Sequence, residues 1–360
     1  MYNNPPSSPY QQGKMDQGPE YFYSATILMH TEGARSMPDK ESLIHAYILD
    51  GQGSGKLIGW KEINQWTPEQ GILWIHLNYE ASKTRQWLSK KSGLDKFTIE
   101  AMIADESRPR SVINPHGILT FLRGVNPNPR EEPEDMVSIR IWVDEHRIIT
   151  TRKRKLLSIQ DLITSLENNT GPKSPGNFLV MLTDQIINRI SDVVERVYEQ
   201  VDELDEKVVT AESHLLRPKI SDARQQIIMI RRYLAPQREA LSRLQTDKTM
   251  LFDENDYIRL RECGDRIIRH LEDLDSARDR ASITQEELSS RLSEQMDRRM
   301  YVLSVAAVIF LPLTFITGLL GINVGGIPGA GDRWGFLIVC AFLVIFLFGM
   351  LWIFHKKKWI

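Results

Sequence analysis

Residues Tyr301–Leu320 read YVLSVAAVIFLPLTFITGLL and run directly into Gly321-Ile322-Asn323. Nothing between Met300 and Gly331 is charged. About twenty helical residues, rising 1.5 Å each, cross roughly 30 Å of hydrocarbon. A second run of similar length, Trp334–Phe354, follows a short connection. The chain as a whole is 42% hydrophobic with a mean hydropathy of -0.30, so these two runs stand out sharply. They predict two transmembrane helices, at 301–320 and 334–354, joined by a loop at 321–333.

The first span carries polar features that a plain anchor does not need. Pro312 removes a backbone hydrogen bond, and Ser304, Thr314 and Thr317 interrupt the apolar surface. Polar groups facing lipid are costly and turn toward a partner helix or water. At helical spacing Met300, Leu303, Ala307, Leu311, Thr314 and Gly318 share one face. Lining a pore, that face would offer apolar constrictions and one ring of hydroxyls. Packed on another helix, its small residues would allow close approach. The pattern alone leaves both readings open.

Basic residues set the orientation. Arg298 and Arg299 precede the first span and Lys356, Lys357 and Lys358 follow the second, whereas the loop carries only Asp332 and Arg333. Both termini are therefore expected in the cytosol, with 355–360 as a basic cytosolic tail. Trp334, Trp352 and Trp359 suit interfacial anchoring. Residues 1–20, rich in Pro and Gln and without the apolar core of a signal peptide, read as a disordered, non-exported tail.

Upstream of the span, 176–300 is almost continuously helical in pattern. Leu182, Ile186, Ile190, Val193, Val197, Val201 and Leu204 recur every three or four residues. A turn is expected near Leu216-Arg217-Pro218, where a second helix through Ile220, Ala223, Ile227 and Leu234 begins. After the polar break Asp253–Asp256, a third helix has no strong stop before the membrane. Joined to the first span, it would cover about 65 residues, roughly 95 Å. A helix of that length needs lateral partners, and copies of the chain are the natural ones. Acidic and basic residues interleave along it, so a solvated, salt-bridged face is the default reading. The sharper reading has Glu286, Glu294 and Asp297 attract cations toward the pore mouth. Cys263 and His270, two turns apart, form a weak metal-site candidate lacking a third ligand.

Region 21–175 mixes β and α patterns and predicts an α/β domain. Strand candidates are Ala46–Leu49, Leu73–Leu77, Leu119–Arg123, Val137–Val143 and Ile148–Thr151; helices are expected near Ala81–Ser92, at Lys96–Ala104 and after Leu157. No nucleotide-binding glycine loop, nucleophile elbow or zincin motif occurs, so there is no catalytic residue to nominate and no enzyme is expected. His76, His116 and His146 are read as structural. The formal net charge of -2 and the lack of a basic, aromatic-interleaved face exclude nucleic acid as a partner. Cys263 and Cys340 cannot form a disulfide framework and no permanently bound cofactor is implied.

Gly321-Ile322-Asn323, in the setting PLTFITGLLGINVGGIPG, resembles the Gly-Met-Asn signature of the CorA superfamily of divalent-cation transporters. The isoleucine variant, followed by Val324-Gly325-Gly326-Ile327-Pro328-Gly329, is similar to the zinc-transporting ZntB branch. Arg108-Pro109-Arg110 and Leu73-Trp74-Ile75 are weaker echoes. The resemblance implies a homopentameric funnel in the inner membrane, fed by the cytosolic α/β domain and long helices. It implies that Gly321, Ile322 and Asn323 form the external entry, that the stripe from Met300 to Gly318 lines the conduit, and that the cargo is Zn2+. Magnesium, cobalt or nickel remain the alternative cargo; a membrane-anchored metal sensor is the alternative of another class. The family's magnesium channels carry an acidic external loop, whereas here Asp332 is its one acid. Proton-coupled uptake is implied by the zinc branch, although neither span contains an ionisable relay.

Overall fold

In the computed structural model, described residues are 42–105, 108–126, 135–208, 213–322, 331 and 333–357. The expected tail at 1–20 lies outside them, as do Asn323, the 324–330 loop, Asp332, Lys358 and Trp359.

The first half of the chain is a mixed sheet. Its elements in order are β1 (Leu43–Leu49), β2 (Gly55–Leu57), α1 (Trp60–Ile63), β3 (Ile72–Asn78), α2 (Ser82–Lys90), α3 (Lys96–Ile103), β4 (Arg110–Asn114), β5 (Gly117–Gly124), β6 (Val137–Val143) and β7 (Arg147–Arg152). The strand order is β2-β1-β3-β7-β6-β5-β4. Only the β3–β7 pair is parallel, with Trp74 opposite Ile148 and His76 opposite Thr150. All five strands expected from sequence are present; β2, β4 and α1 were not expected. They are short, and β2 is mostly exposed, so they lack the apolar run that announces a strand.

Helices cover both faces, which is why the central strands read as apolar runs. Leu73, Ile75, Leu119, Phe121, Trp142 and Ile149 pack with Leu88 of α2 and Met102 of α3. Trp74, Ile118, Leu122, Ile139, Ile141 and Ile148 pack with α4 (Leu157–Glu167) and α5 (Pro175–Lys207). Two buried basic side chains, His76 and Arg140, are held by geometry instead of by acids. His76 is fully buried and satisfied at both ring nitrogens, Nδ1 against Thr150 Oγ1 at 2.8 Å and Nε2 accepting from Arg152 Nε at 2.8 Å. Burial, then the nearby Arg152, pushes its pKa well down, so it stays neutral as a structural histidine. Arg140 lies 4.2 Å from the Tyr79 ring centroid and donates to the Ala104 carbonyl at the end of α3.

Three long helices follow: α5, α6 (Ser213–Thr246) and α7 (Glu254–Leu320), with α8 (Gly335–Lys356) after them. Pro218 lies inside α6 instead of at its start. The break falls earlier, after Lys207, because a proline near a helix start gives up only one interior bond. Ser174 caps α5, its hydroxyl accepting from Asn177 N at 2.9 Å, and Asp253 caps α7, accepting from Asp256 N at 2.7 Å.

α5 and α7 run parallel in a fixed register. Asn177 Nδ2 donates to Asp256 Oδ1 at 2.8 Å, Ser191 meets His270 at 2.8 Å and Thr284 donates to Asp205 at 2.6 Å. Each pair is 79 residues apart in the chain, as is Cys263 with Asp184. These rungs recur at multiples of seven residues, the period that keeps one face of a helix against its neighbour along a gently supercoiled pair. Arg280 adds an ion pair to Asp202 and lies 5.4 Å from the centroid of the Tyr198 ring.

The pair is seated by a close approach at its top. A Cβ on Gly176 would come 1.8 Å from the Leu251 carbonyl oxygen, in the connection between α6 and α7. By contrast, one on Gly264 would meet only the end of the Gln245 side chain. Gly176→Ala is expected to cost about 1–3 kcal/mol as overpacking against backbone, and Gly264→Ala markedly less. Thermal unfolding of the two variants in detergent, compared with the parent, checks this order.

Candidate functional site

α7 is one helix of 67 residues from its Asp253 cap to Leu320, so the third long helix and the first span are continuous. Its last stretch and α8 are long and apolar enough to cross a membrane, with mean hydropathies of 2.3 and 3.0. Gly321 ends α7, its N–H donating to the Thr317 carbonyl at 2.9 Å. Its φ of -88° is open to any residue, so the glycine's freedom to turn is not used at this position. Inside the span Thr317 returns its hydroxyl to the Thr314 carbonyl at 3.1 Å.

The expected stripe has a definite place. α8 covers the face of α7 formed by Val305, Ala306, Ile309, Pro312, Leu313 and Ile316, all at least half-buried. Met300, Leu303, Ala307, Leu311, Thr314 and Gly318 are all exposed. Two residues of offset is about 200° at 3.6 residues per turn, so the stripe points almost directly away from α8. Leu303 and Leu311 are 65% and 69% exposed, which a lone α-helical hairpin in water would not tolerate. Packing on the second span of the same chain is therefore not the stripe's role. Ile322 is exposed; Asn323 lies outside the described residues.

The same exposed line continues down the part of α7 that precedes the span, at spacings of three and four. It runs through Asp297, Ser293, Ser290, Glu286, Ile283, Asp279, Ser276, Glu272, Arg269, Asp265 and Glu262, every one exposed. The opposite face, with Leu260, Ile267, Leu274, Ala281 and Leu288, is buried against α5 and α6. Glu286 and Asp297 thus lie in line with the span's stripe. Glu294 sits to one side, in a groove of about 510 Å³ shared with Arg291 and Arg298. Among the described residues none of the three makes an ion pair. Their neighbours do: Arg291 pairs with Glu287 at 2.9 Å, and Arg278 with Asp279 at 2.8 Å. Sequence reading missed Glu262, Asp265 and Glu272. Extending the span's three-and-four spacing toward the N-terminus would have found them.

Cys263 and His270 are not brought together. Each is a separate rung of the α5–α7 pair, bonded to Asp184 and Ser191 respectively, and their seven-residue spacing is the spacing of those rungs. Burial pushes the Cys263 thiol up to about 11, which keeps it protonated and a poor metal ligand at neutral pH. Burial also lowers the pKa of His270, against the pull of Asp273. Among the described residues no group of three or more His, Cys, Asp or Glu is placed to hold a metal. His116 and His146 are exposed on turns that line a cleft of about 910 Å³. Of the three histidines read as structural, only His76 is buried.

One continuous helix thus carries an exposed stripe that is mostly polar below and apolar with the Thr314 hydroxyl above. The family described as "CorA-like Mg2+ transporter protein" matches residues 69–356. The chain belongs to the CorA-like family of divalent-cation transporters. It is 36% identical over 330 residues to the divalent cation transporter CmaX of Pseudomonas aeruginosa, covering 89% of this chain and 98% of that one. It is 35% identical over 324 residues to the zinc transport protein ZntB of Pectobacterium atrosepticum, covering 88% and 96%. The full-length CmaX structure superposes with a TM-score of 0.77 at 35% identity, over 90% of this chain and all of that one. The complete CorA magnesium transporter of Methanocaldococcus jannaschii shares the fold, with a TM-score of 0.75 at 18% identity, covering 88% and 98%. These relatives are transporters, so the chain is neither an enzyme nor a sensor without transport.

A raised thiol pKa means the reactive thiolate is scarce until the pH approaches 11. Cys263 is therefore expected to resist N-ethylmaleimide at neutral pH in the folded protein, and Cys263→Ser to leave divalent-cation flux unchanged. Peptide mapping after labelling, with flux in proteoliposomes, measures both; rapid labelling or lost flux would contradict the burial.

Proposed function

We propose that this chain forms a homopentameric zinc-uptake pore of the inner membrane, with both termini in the cytosol. The observation that carries the reading is an exposed line on α7 that keeps one spacing from the helix below into the span. It passes from carboxylates at Glu262 to Asp297 into Met300, Leu303, Leu311 and Thr314, and faces away from α8. A water-filled axis with copies of the chain around it accounts for both halves of that line, the carboxylates lying before the span and the hydroxyl of Thr314 within it.

In this reading each residue has a physical task. Asn323, directly after Gly321-Ile322, supplies a ring of carboxamide oxygens at the outer mouth. Carboxamides hydrogen-bond the water shell of a hydrated ion without demanding its full dehydration. Met300, Leu303 and Leu311 are constrictions that conduct when wetted, and Thr314 is a hydroxyl ring between them. Glu286 and Asp297 concentrate cations at the inner end, with Glu294 attenuated by Arg291 and Arg298. An inside-negative potential of 100 mV favours entry of a divalent ion by about 4.6 kcal/mol, which is sufficient driving force. Proton coupling is the finer reading. With no Asp, Glu, His, Lys or Arg in 301–320 or 335–354, its relay would run through pore water and the cytosolic carboxylates.

Zinc is supported by the ZntB relatives and by the isoleucine of Gly321-Ile322-Asn323. The second reading, a magnesium, cobalt or nickel channel, is supported by the broader name carried by CmaX and by the family description. Flux of each metal in turn into proteoliposomes separates the two: zinc should exceed magnesium by about tenfold or more, and parity would remove zinc selectivity. An imposed inward proton gradient should accelerate zinc entry if the two are coupled; indifference to it removes coupling.

Two variants test the pore. Asn323→Ala is expected to reduce flux about tenfold or more while the oligomer stays assembled by size-exclusion light scattering. Leu303→Asp should give a permanently wetted, leaky conduit. Normal flux in both, or a monomeric protein, would refute the arrangement.

A further inference from the structure

Outside the α7 line, one surface of the sheet domain combines chemistry that the transport reading does not use. Trp60 of α1 and Trp87 of α2 lie with ring centroids 5.9 Å apart, tilted by 53°, and both are half-buried. Together with Asn64, Lys83, Gln86, Lys90 and Lys91 they line a hollow of about 320 Å³. Lys83 Nζ is 5.1 Å from the Trp60 ring centroid, and Lys91 Nζ donates to Asn64 Oδ1 at 3.1 Å. No acid lines the hollow. Among the described residues Lys83, Lys90 and Lys91 have no carboxylate partner. An adjoining hollow of about 340 Å³ shares Asn64, Trp87 and Lys91 and adds Trp66.

Three unneutralised ammonium groups around two indoles form a different object from a solvated lysine face. Lysines on such a face spread apart into water and have no shared cavity. Here they converge on aromatic surface, in a space at the lower end of the roughly 300–1,000 Å³ typical of small-molecule sites. The indole planes are too close and too tilted to admit a ring between them, so an aromatic ligand would stack on the open side. The ammonium groups require that ligand to be anionic. A planar base joined by a short linker to a polyanion meets both demands. We propose that the Trp60–Trp87 hollow binds nucleoside polyphosphates. The base lies on the indoles, and Lys83, Lys90 and Lys91 hold the phosphates, Lys83 swinging off the Trp60 ring to do so.

The absence of acids in the lining adds a sign. Among the described residues no carboxylate in the hollow faces a metal carried on the phosphates, and a bound divalent cation removes two of the negative charges that the lysines attract. The metal-free nucleotide is the tighter ligand, so occupancy falls as the divalent cation concentration rises.

Isothermal titration of the full-length protein in detergent, with EDTA present, tests the site with ATP, adenosine and inorganic triphosphate as probes. ATP should bind about tenfold or more tightly than either part alone. Trp87→Ala should weaken ATP about tenfold or more, by the loss of one stacking platform. The Lys90→Ala/Lys91→Ala double variant changes only exposed side chains, which leaves the fold intact, and should weaken ATP as strongly. Replacing EDTA by saturating Mg2+ should weaken binding severalfold. Triphosphate binding as tight as ATP would show a plain polyanion patch and overturn the proposal. ATP affinity unchanged in the double-lysine variant, tighter binding with Mg2+, or no binding in the millimolar range would overturn it as well.

Discussion

The register between α5 and α7 is the constraint on which the rest of the molecule depends. Asn177–Asp256, Asp184–Cys263, Ser191–His270 and Asp205–Thr284 are successive rungs with one constant offset of 79 residues. Apolar packing alone would hold two amphipathic helices together but would tolerate sliding by a turn. A slip here would separate every polar rung at once and leave half-buried groups without partners, each costing about 1–3 kcal/mol. The rungs therefore convert a sticky interface into an aligned one. Since α7 is unbroken to Leu320, alignment at the Asp253 cap also sets which side of the helix faces outward in the membrane.

That alignment gives the surface of α7 distinct faces. One is buried against α5 and α6, a second in the span is half-buried, and the line from Glu262 to Gly318 lies on the exposed remainder. Before the span the line is polar and faces water. In the span it is mostly apolar, with the Thr314 hydroxyl on it. On the proposed reading, this change of character follows a single axis that extends through the membrane.

Most of the architecture was legible because it is written in periodicity. The five long strands, the helical run from Pro175 onward and both spans carry apolar spacings that only one secondary structure satisfies. Partnering was not legible. The seven-residue interval between Cys263 and His270 looked like a possible ligand pair, yet it expresses the pitch of a helix pair whose other strand lies 79 residues earlier. Likewise Glu286, Glu294 and Asp297 were grouped by type and nearness to the membrane. The rotation of about 80° that takes Glu294 off the line of Glu286 and toward Arg291 and Arg298 matters only when the buried face is known. Pro218 misled for a related reason, since a proline marks a helix boundary by propensity while the tertiary contacts of Leu216 and Ile220 extend the helix across it.

Magnitudes bear on why the acidic line calls for copies of the chain. Residues seven apart on a helix are separated by about 10 Å, and the Debye length at physiological salt is about 8 Å. Along one exposed helix the fields of Glu272, Asp279 and Glu286 are therefore screened from one another and scarcely add. Carboxylates contributed by several chains at the same height around a common axis would instead lie close together in a confined space with fewer mobile ions. There their potentials do add, and the same six acids that are weak as a file become strong as stacked rings. On the proposed reading, then, attraction of the cation is a property of the assembly, while a single chain supplies only the alignment that makes it possible.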